Sequence, residues 1–154
     1  MKKPYQELSD LQKLQKQWHK LSGLHTREEW SAAIIRSSTA AEIAANFAIR
    51  SEFADKSQFD SQFIDSLLLW ANGLAGKLDR LLLPLTATDK SKKKKMKALK
   101  DAAKTINLKR NAIVHQGEFC NEEEAKDIIN QAKIFITDLI QLYQPSFELK
   151  EQKH

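Results

Sequence analysis

The chain has 154 residues, one cysteine, four glycines and three prolines, with 42% hydrophobic and 29% charged residues. That length fits one domain with a buried core, and so few turn-forming residues argue against an all-β fold. A lone Cys120 excludes an internal disulfide and a cysteine-based zinc cluster.

No apolar signal core follows Met1, and no run approaches 18 uninterrupted apolar residues. The reading is a cytoplasmic protein without membrane contact. The net charge of +5 is unevenly placed. Between Lys90 and Arg110, ten basic residues face Asp101 alone, so that window is +9 and the remainder −4. Such a local positive field steers an anionic partner, although a solvated connector between helices would look the same.

In chain order, Leu8, Leu11, Leu14, Trp18 and Leu21 recur every three or four residues, and Gly23 is predicted to close this first helix. Thr26-x-x-Glu29 reads as a capping box opening a second helix that runs to about Phe53. That helix is apolar on nearly every face, which predicts burial. Glu42 interrupts its run from Ala40 to Ala48, and a buried carboxylate needs a partner or a raised pKa.

A third helix is predicted from near Ser57 to Pro84, on Phe59, Phe63, Leu67, Trp70, Leu74, Leu78, Leu81 and Leu82. Trp30 and Trp70 fall in register with the core, which favours packing over base stacking. Gly73 and Gly76 each cost roughly 1 kcal/mol inside that pattern, for which close approach of another helix would compensate. Residues 85–95 read as a mobile connector, because four consecutive lysines at a helix start oppose its dipole.

A fourth helix follows Met96, Leu99, Ala103, Ile106, Arg110 and Ile113, which puts Arg110 on the inward stripe where an aliphatic residue is expected. Gly117 ends it. Asn121 with Glu122, Glu123 and Glu124 caps a fifth helix, and Pro145 ends that one. The predicted fold is all-α: an antiparallel up-and-down bundle of four long helices plus an N-terminal helix. Residues 1–154 form one domain, with 1–24 an N-terminal extension and 145–154 a flexible tail.

Arg110-Asn111-x-x-x-His115, at the end of the penultimate long helix and followed by Gly117, resembles the Arg-x4-6-His motif of HEPN domains. The acid-rich helix that follows fits the family's order, and the resemblance covers residues 27–144. It implies a homodimer with a composite cleft and a metal-independent endoribonuclease of toxin or defence type that leaves a 2′,3′-cyclic phosphate. No cofactor is implied; the partners are RNA and, for toxins, a cognate antitoxin protein.

By that resemblance His115 would be the general acid or base, Arg110 the group that stabilises charge at phosphorus, and Asn111 an orienting residue. Glu42 is a candidate to hold Arg110 or His115 from behind, or to form a structural salt bridge. Lys92, Lys93, Lys94, Lys95, Lys97 and Lys109 are candidate RNA contacts. The tyrosine that some toxin members carry two residues after the histidine is Gly117 here, so modification at that position is not carried over.

On an ideal helix Asn111 and His115 share a face, whereas Arg110 and His115 lie about 140° apart. A common site then requires that the helix end at His115 or that a second protomer supply the partner. His19, His25 and His154 lack ligand-like spacing, so no metal site is expected. The rival is a non-catalytic helical module that binds a protein partner, nucleotide or nucleic acid.

Overall fold

The computed structural model describes residues 3–26, 28–56, 59–71 and 73–151. It is all-helical, with no strand among the described residues. After a 3-10 turn at Tyr5–Glu7, the chain forms α1 (Asp10–Thr26), α2 (Trp30–Lys56) and α3 (Ser61–Trp70). Three contiguous segments follow: Leu74–Gly76, a π-helical stretch Lys77–Leu82, and Leu83–Leu85, together α4. The last two helices are α5 (Lys90–Gln116) and α6 (Glu122–Gln141).

Helix α2 is central and packs against α1, α4, α5 and α6. Its alanines 33, 40, 41, 44, 45 and 48 are fully buried, and such small side chains let neighbouring helices approach closely. The buried Ser37 hydroxyl is satisfied within the helix by donating to the Ile34 carbonyl at 2.8 Å. Leu14, Trp18 and Leu21 of α1 belong to the same core as Ile34, Met96 and Phe135. The N-terminal helix is therefore part of the domain's interior rather than an appendage. It also runs through Gly23 to Thr26, so Gly23 does not close it. Thr26 is the last residue of α1, and α2 begins only at Trp30, so the expected capping box from Thr26 to Glu29 does not open the second helix.

The predicted third helix is instead broken. Its expected start near Ser57 lies outside the described residues; α3 is capped by Asp60, whose side chain accepts from the Phe63 N–H at 2.8 Å. The chain then turns at Gly73, whose φ of +92° is a conformation glycine adopts cheaply. That break resets the helical register. Ile64 and Leu68 point inward before it, and Leu74, Leu78 and Leu82 after it. Trp70 is left 87% exposed, contrary to its expected core position. Helix α4 ends at Leu85, one residue after Pro84, so the expected stop at this proline is met to within a residue.

The lysine run is helical, not a mobile connector. Asp89 caps α5 by accepting from the Lys92 N–H at 3.1 Å, a bond of about 1 kcal/mol. Burial of Met96 and Leu99 further offsets the unfavourable lysine–dipole interaction. At its other end α5 stops at left-handed Gly117 (φ +68°). Asn121 and Glu124 then form the expected reciprocal capping box of α6.

The C-terminal segment is docked through Glu151 rather than loose. Phe147 is buried, Gln15 and Lys150 exchange two hydrogen bonds at 2.7 and 3.0 Å, and Lys133 pairs with Glu151 at 2.9 Å. Residues 152–154 lie outside the described residues. No helix among the described residues is long and apolar enough to cross a membrane.

Candidate functional site

The C-terminal half of α5 turns a polar face toward α2 and α4. Relative to Arg110, ideal helical geometry puts Asn107, Asn111 and His115 within an arc of about 140°. All four line one cavity of about 490 Å³, with Ser38 and Glu42 from α2 and Gly73 and Gly76 from the start of α4. Arg110 and His115 thus reach a common space inside a single chain. Convergence is possible because α5 ends at Gln116, immediately after His115, and because two glycines opposite leave the space unfilled.

Helix α5 delivers its residues for a local reason. Met96, Leu99, Ala103 and Ile106 anchor the buried stripe, and continuing that spacing brings Arg110 to the same side. Arg110 is half-buried and donates from Nη1 to Asn111 Oδ1 at 3.2 Å. His115 is exposed on the last turn of α5, where a histidine also interacts favourably with the helix dipole.

Glu42 is the carboxylate on this wall, and its partner is Lys77. Glu42 Oε1 accepts from Lys77 Nζ and from the Gly73 N–H, both at 2.9 Å. Burial alone would push the Glu42 carboxyl upward. The Lys77 hydrogen bond and charge, the Gly73 amide and the nearby Arg110 outweigh it and hold the carboxyl below its ordinary value. Of the two expectations for Glu42, its bonds make the structural salt bridge, with Lys77; Arg110 acts on it as a nearby charge. Glu42 also lines a second cavity of about 400 Å³, together with Asn46, Arg50, Asp65 and Lys77.

Ser38, Asn107 and Lys77 were not singled out by sequence. Ser38 and Glu42 are four residues apart on α2, as are Asn107 and Asn111 on α5; polar pairs at that spacing share a face. Lys77 carried no such signal. Gly76 is also differently placed from expectation: a Cβ there would meet nothing within 4 Å, so it faces open cavity rather than a closely packed helix.

The candidate RNA-contacting lysines divide into two groups. Lys92 Nζ donates to Glu52 Oε2 at 2.9 Å and lies 4.8 Å from the centre of the Tyr143 ring. Lys109 bonds Glu118 Oε1 at 2.6 Å and also Glu124, and these carboxylates raise its pKa. Both lysines thereby serve the fold. Lys93, Lys94, Lys95 and Lys97 are exposed. Counting 1.5 Å per residue along α5, they stand roughly 20–30 Å from the Arg110–His115 end.

Among the described residues, Glu118, Cys120 and Glu124 group potential metal-ligating atoms within 4.8 Å of one another. The ammonium of Lys109 already bonds both carboxylates there and supplies their counter-charge. No protein-family model, curated protein or solved structure matches this chain.

Proposed function

We propose that this protein is a metal-independent endoribonuclease of the HEPN type, acting in the cytoplasm as a toxin or defence effector on an antiparallel up-and-down helical bundle. The observation that carries the reading is the shared cavity of Arg110, Asn111 and His115, half-open and polar, at the end of α5.

The reaction is an in-line transesterification. His115 removes the proton from a ribose 2′-hydroxyl, the 2′-oxygen bonds to phosphorus, and the P–O5′ bond breaks. The leaving 5′-oxygen takes up a proton from water and His115 returns its own to solvent, leaving a 2′,3′-cyclic phosphate and a 5′-hydroxyl. Arg110 binds the non-bridging oxygens, whose charge grows as the bond forms, and Asn111 holds the guanidinium through its Oδ1. Lys93, Lys94, Lys95 and Lys97 draw in a more distant part of the backbone, which makes binding salt-sensitive and weakly dependent on sequence.

A homodimer and an antitoxin-like partner belong to the same reading. Leu108, Val114 and Phe119 expose apolar surface around the motif, Phe119 to 93%, and such surface beside a site favours covering by another chain. The same observation favours the rival, a non-catalytic module that docks a protein partner through this end of α5.

Purified protein incubated with RNA in excess chelator separates the two. Wild type is expected to release cyclic-phosphate ends, and His115→Ala and Arg110→Ala to lose at least 100-fold in rate, the scale of acid–base and oxyanion contributions. Equal cleavage by wild type and variants, or no cleavage by well-folded protein, favours the non-catalytic module.

A further inference from the structure

The Glu42–Lys77 pair has a geometry that a merely structural salt bridge does not require. Glu42 carries the negative charge lining the Arg110 cavity, and Arg110 is near enough to lower the energy of that charge. Arginine–carboxylate pairs are frequently bidentate, and such a pair here would leave the arginine neutralised. Here the carboxylate is committed elsewhere. Glu42 Oε1 is bonded to Lys77 Nζ and to the Gly73 amide, while the hydrogen bond of Arg110 goes to Asn111.

Lys77 itself is only 2% exposed and lies at the start of the π-helical segment beside Leu78. A buried ammonium is expensive unless it is paired, and an aliphatic residue would fill that position at lower cost. The pair sits on the boundary between two cavities, with Lys77 lining one and Arg110 the other.

We propose that Lys77 is a positioning residue that draws the Glu42 carboxylate away from Arg110 and so keeps the guanidinium open to a phosphate group. The inference rests on the reading that this cavity receives a phosphate, and it does not depend on cleavage. With Lys77 in place, the charge of Glu42 is matched from behind, and Arg110 keeps for an anion the donors that Asn111 does not take. Without it, Glu42 is free to close on Arg110 and compete with the anion.

The test uses inorganic phosphate as the probe and the full chain, with binding followed by NMR on the Arg110 Nε–Hε signal and the amides of residues 110–116. Lys77→Met is expected to weaken phosphate binding at least tenfold. Removing the competing acid as well, in the Lys77→Met/Glu42→Gln double variant, is expected to restore affinity to within threefold of wild type. A structural role alone predicts no such rescue. Lys77→Met that binds like wild type, a double variant as weak as Lys77→Met, or wild type that binds no phosphate at this cavity each overturns the proposal.

Should Lys77→Met fail to fold, Glu42→Gln decides. Its Arg110 Nε–Hε signal should move much less than phosphate moves it, because Lys77 already holds the carboxylate and only a longer-range charge is removed. A displacement as large as that caused by phosphate means that Glu42 was the partner of Arg110, and sinks the idea. Expected phosphate behaviour without RNA cleavage removes the nuclease reading and leaves the role of Lys77 standing.

Discussion

Gly76→Ala is expected to stabilise the protein and to weaken its ligand site at the same time. The backbone at Gly76 is right-handed helical (φ −65°, ψ −40°), so an L side chain fits without strain. A Cβ there contacts nothing within 4 Å, yet the residue lines the Arg110 cavity. Glycine within a helix is less stable than alanine by roughly 0.5–1 kcal/mol, and the substitution should recover that amount. For a domain of this size each kcal/mol moves Tm by about 2–4 °C, so a rise of about 1–4 °C is expected by circular dichroism. The added methyl group enters space that a phosphate would use, and phosphate affinity should fall several-fold. Gly73→Ala is the internal control. Its Cβ would have room, with Asn107 Oδ1 3.8 Å away, but its φ of +92° is unfavourable for alanine, so it should destabilise by about 1–2 kcal/mol. A Gly76→Ala protein that is less stable than wild type, or more stable with unchanged phosphate affinity, refutes the assignment of this glycine to the cavity.

Lys92→Met should lower stability by about 1.5–3 kcal/mol in urea titrations, since Glu52, 1% exposed, loses one of its two charged partners while Lys56 remains. Lys94→Met should leave the unfolding midpoint unchanged; equal effects of the two would refute the division of the lysine run. Stability should also fall on both sides of neutrality. Burial pushes the carboxyls of Glu42 and Glu52 upward, but lysine hydrogen bonds and charges overcome it and hold both below their ordinary 4.5. The unfolded chain therefore takes up protons first, so this stability is present above about pH 4.5 and lost as pH falls through the lower folded values. Burial and the neighbouring Glu52 push the Tyr143 phenol upward from its ordinary 10; its contribution holds below pH 10 and declines above it. Glu52→Gln should be less stable at pH 7 and show shallower acid and alkaline limbs in thermal melts. Limbs as steep as those of wild type would contradict this account.

Local chemistry wrote much of the C-terminal half of the fold in readable form. The stop at Gly117 and the capping box of Asn121 and Glu124 depend on residues within one turn of each other, and both are present. The stripe of Met96, Leu99, Ala103 and Ile106 depends only on helical period, and it already marked Arg110 as out of place. Where a neighbour distant in sequence decides, the chain alone was silent or misleading. An unbroken apolar pattern concealed the turn at Gly73, because periodicity carries no information about a positive φ, and Trp70 was read as core for that reason. Lys92 looked like its neighbours until Glu52 and Tyr143, from α2 and from the turn after α6, were brought against it. The cavity itself required α2, α4 and α5 to meet: the Ser38–Glu42 pair, Gly76 and Arg110 come from three stretches 34 residues apart in turn, and only packing of the apolar faces opposite them sets their polar ones around a common space.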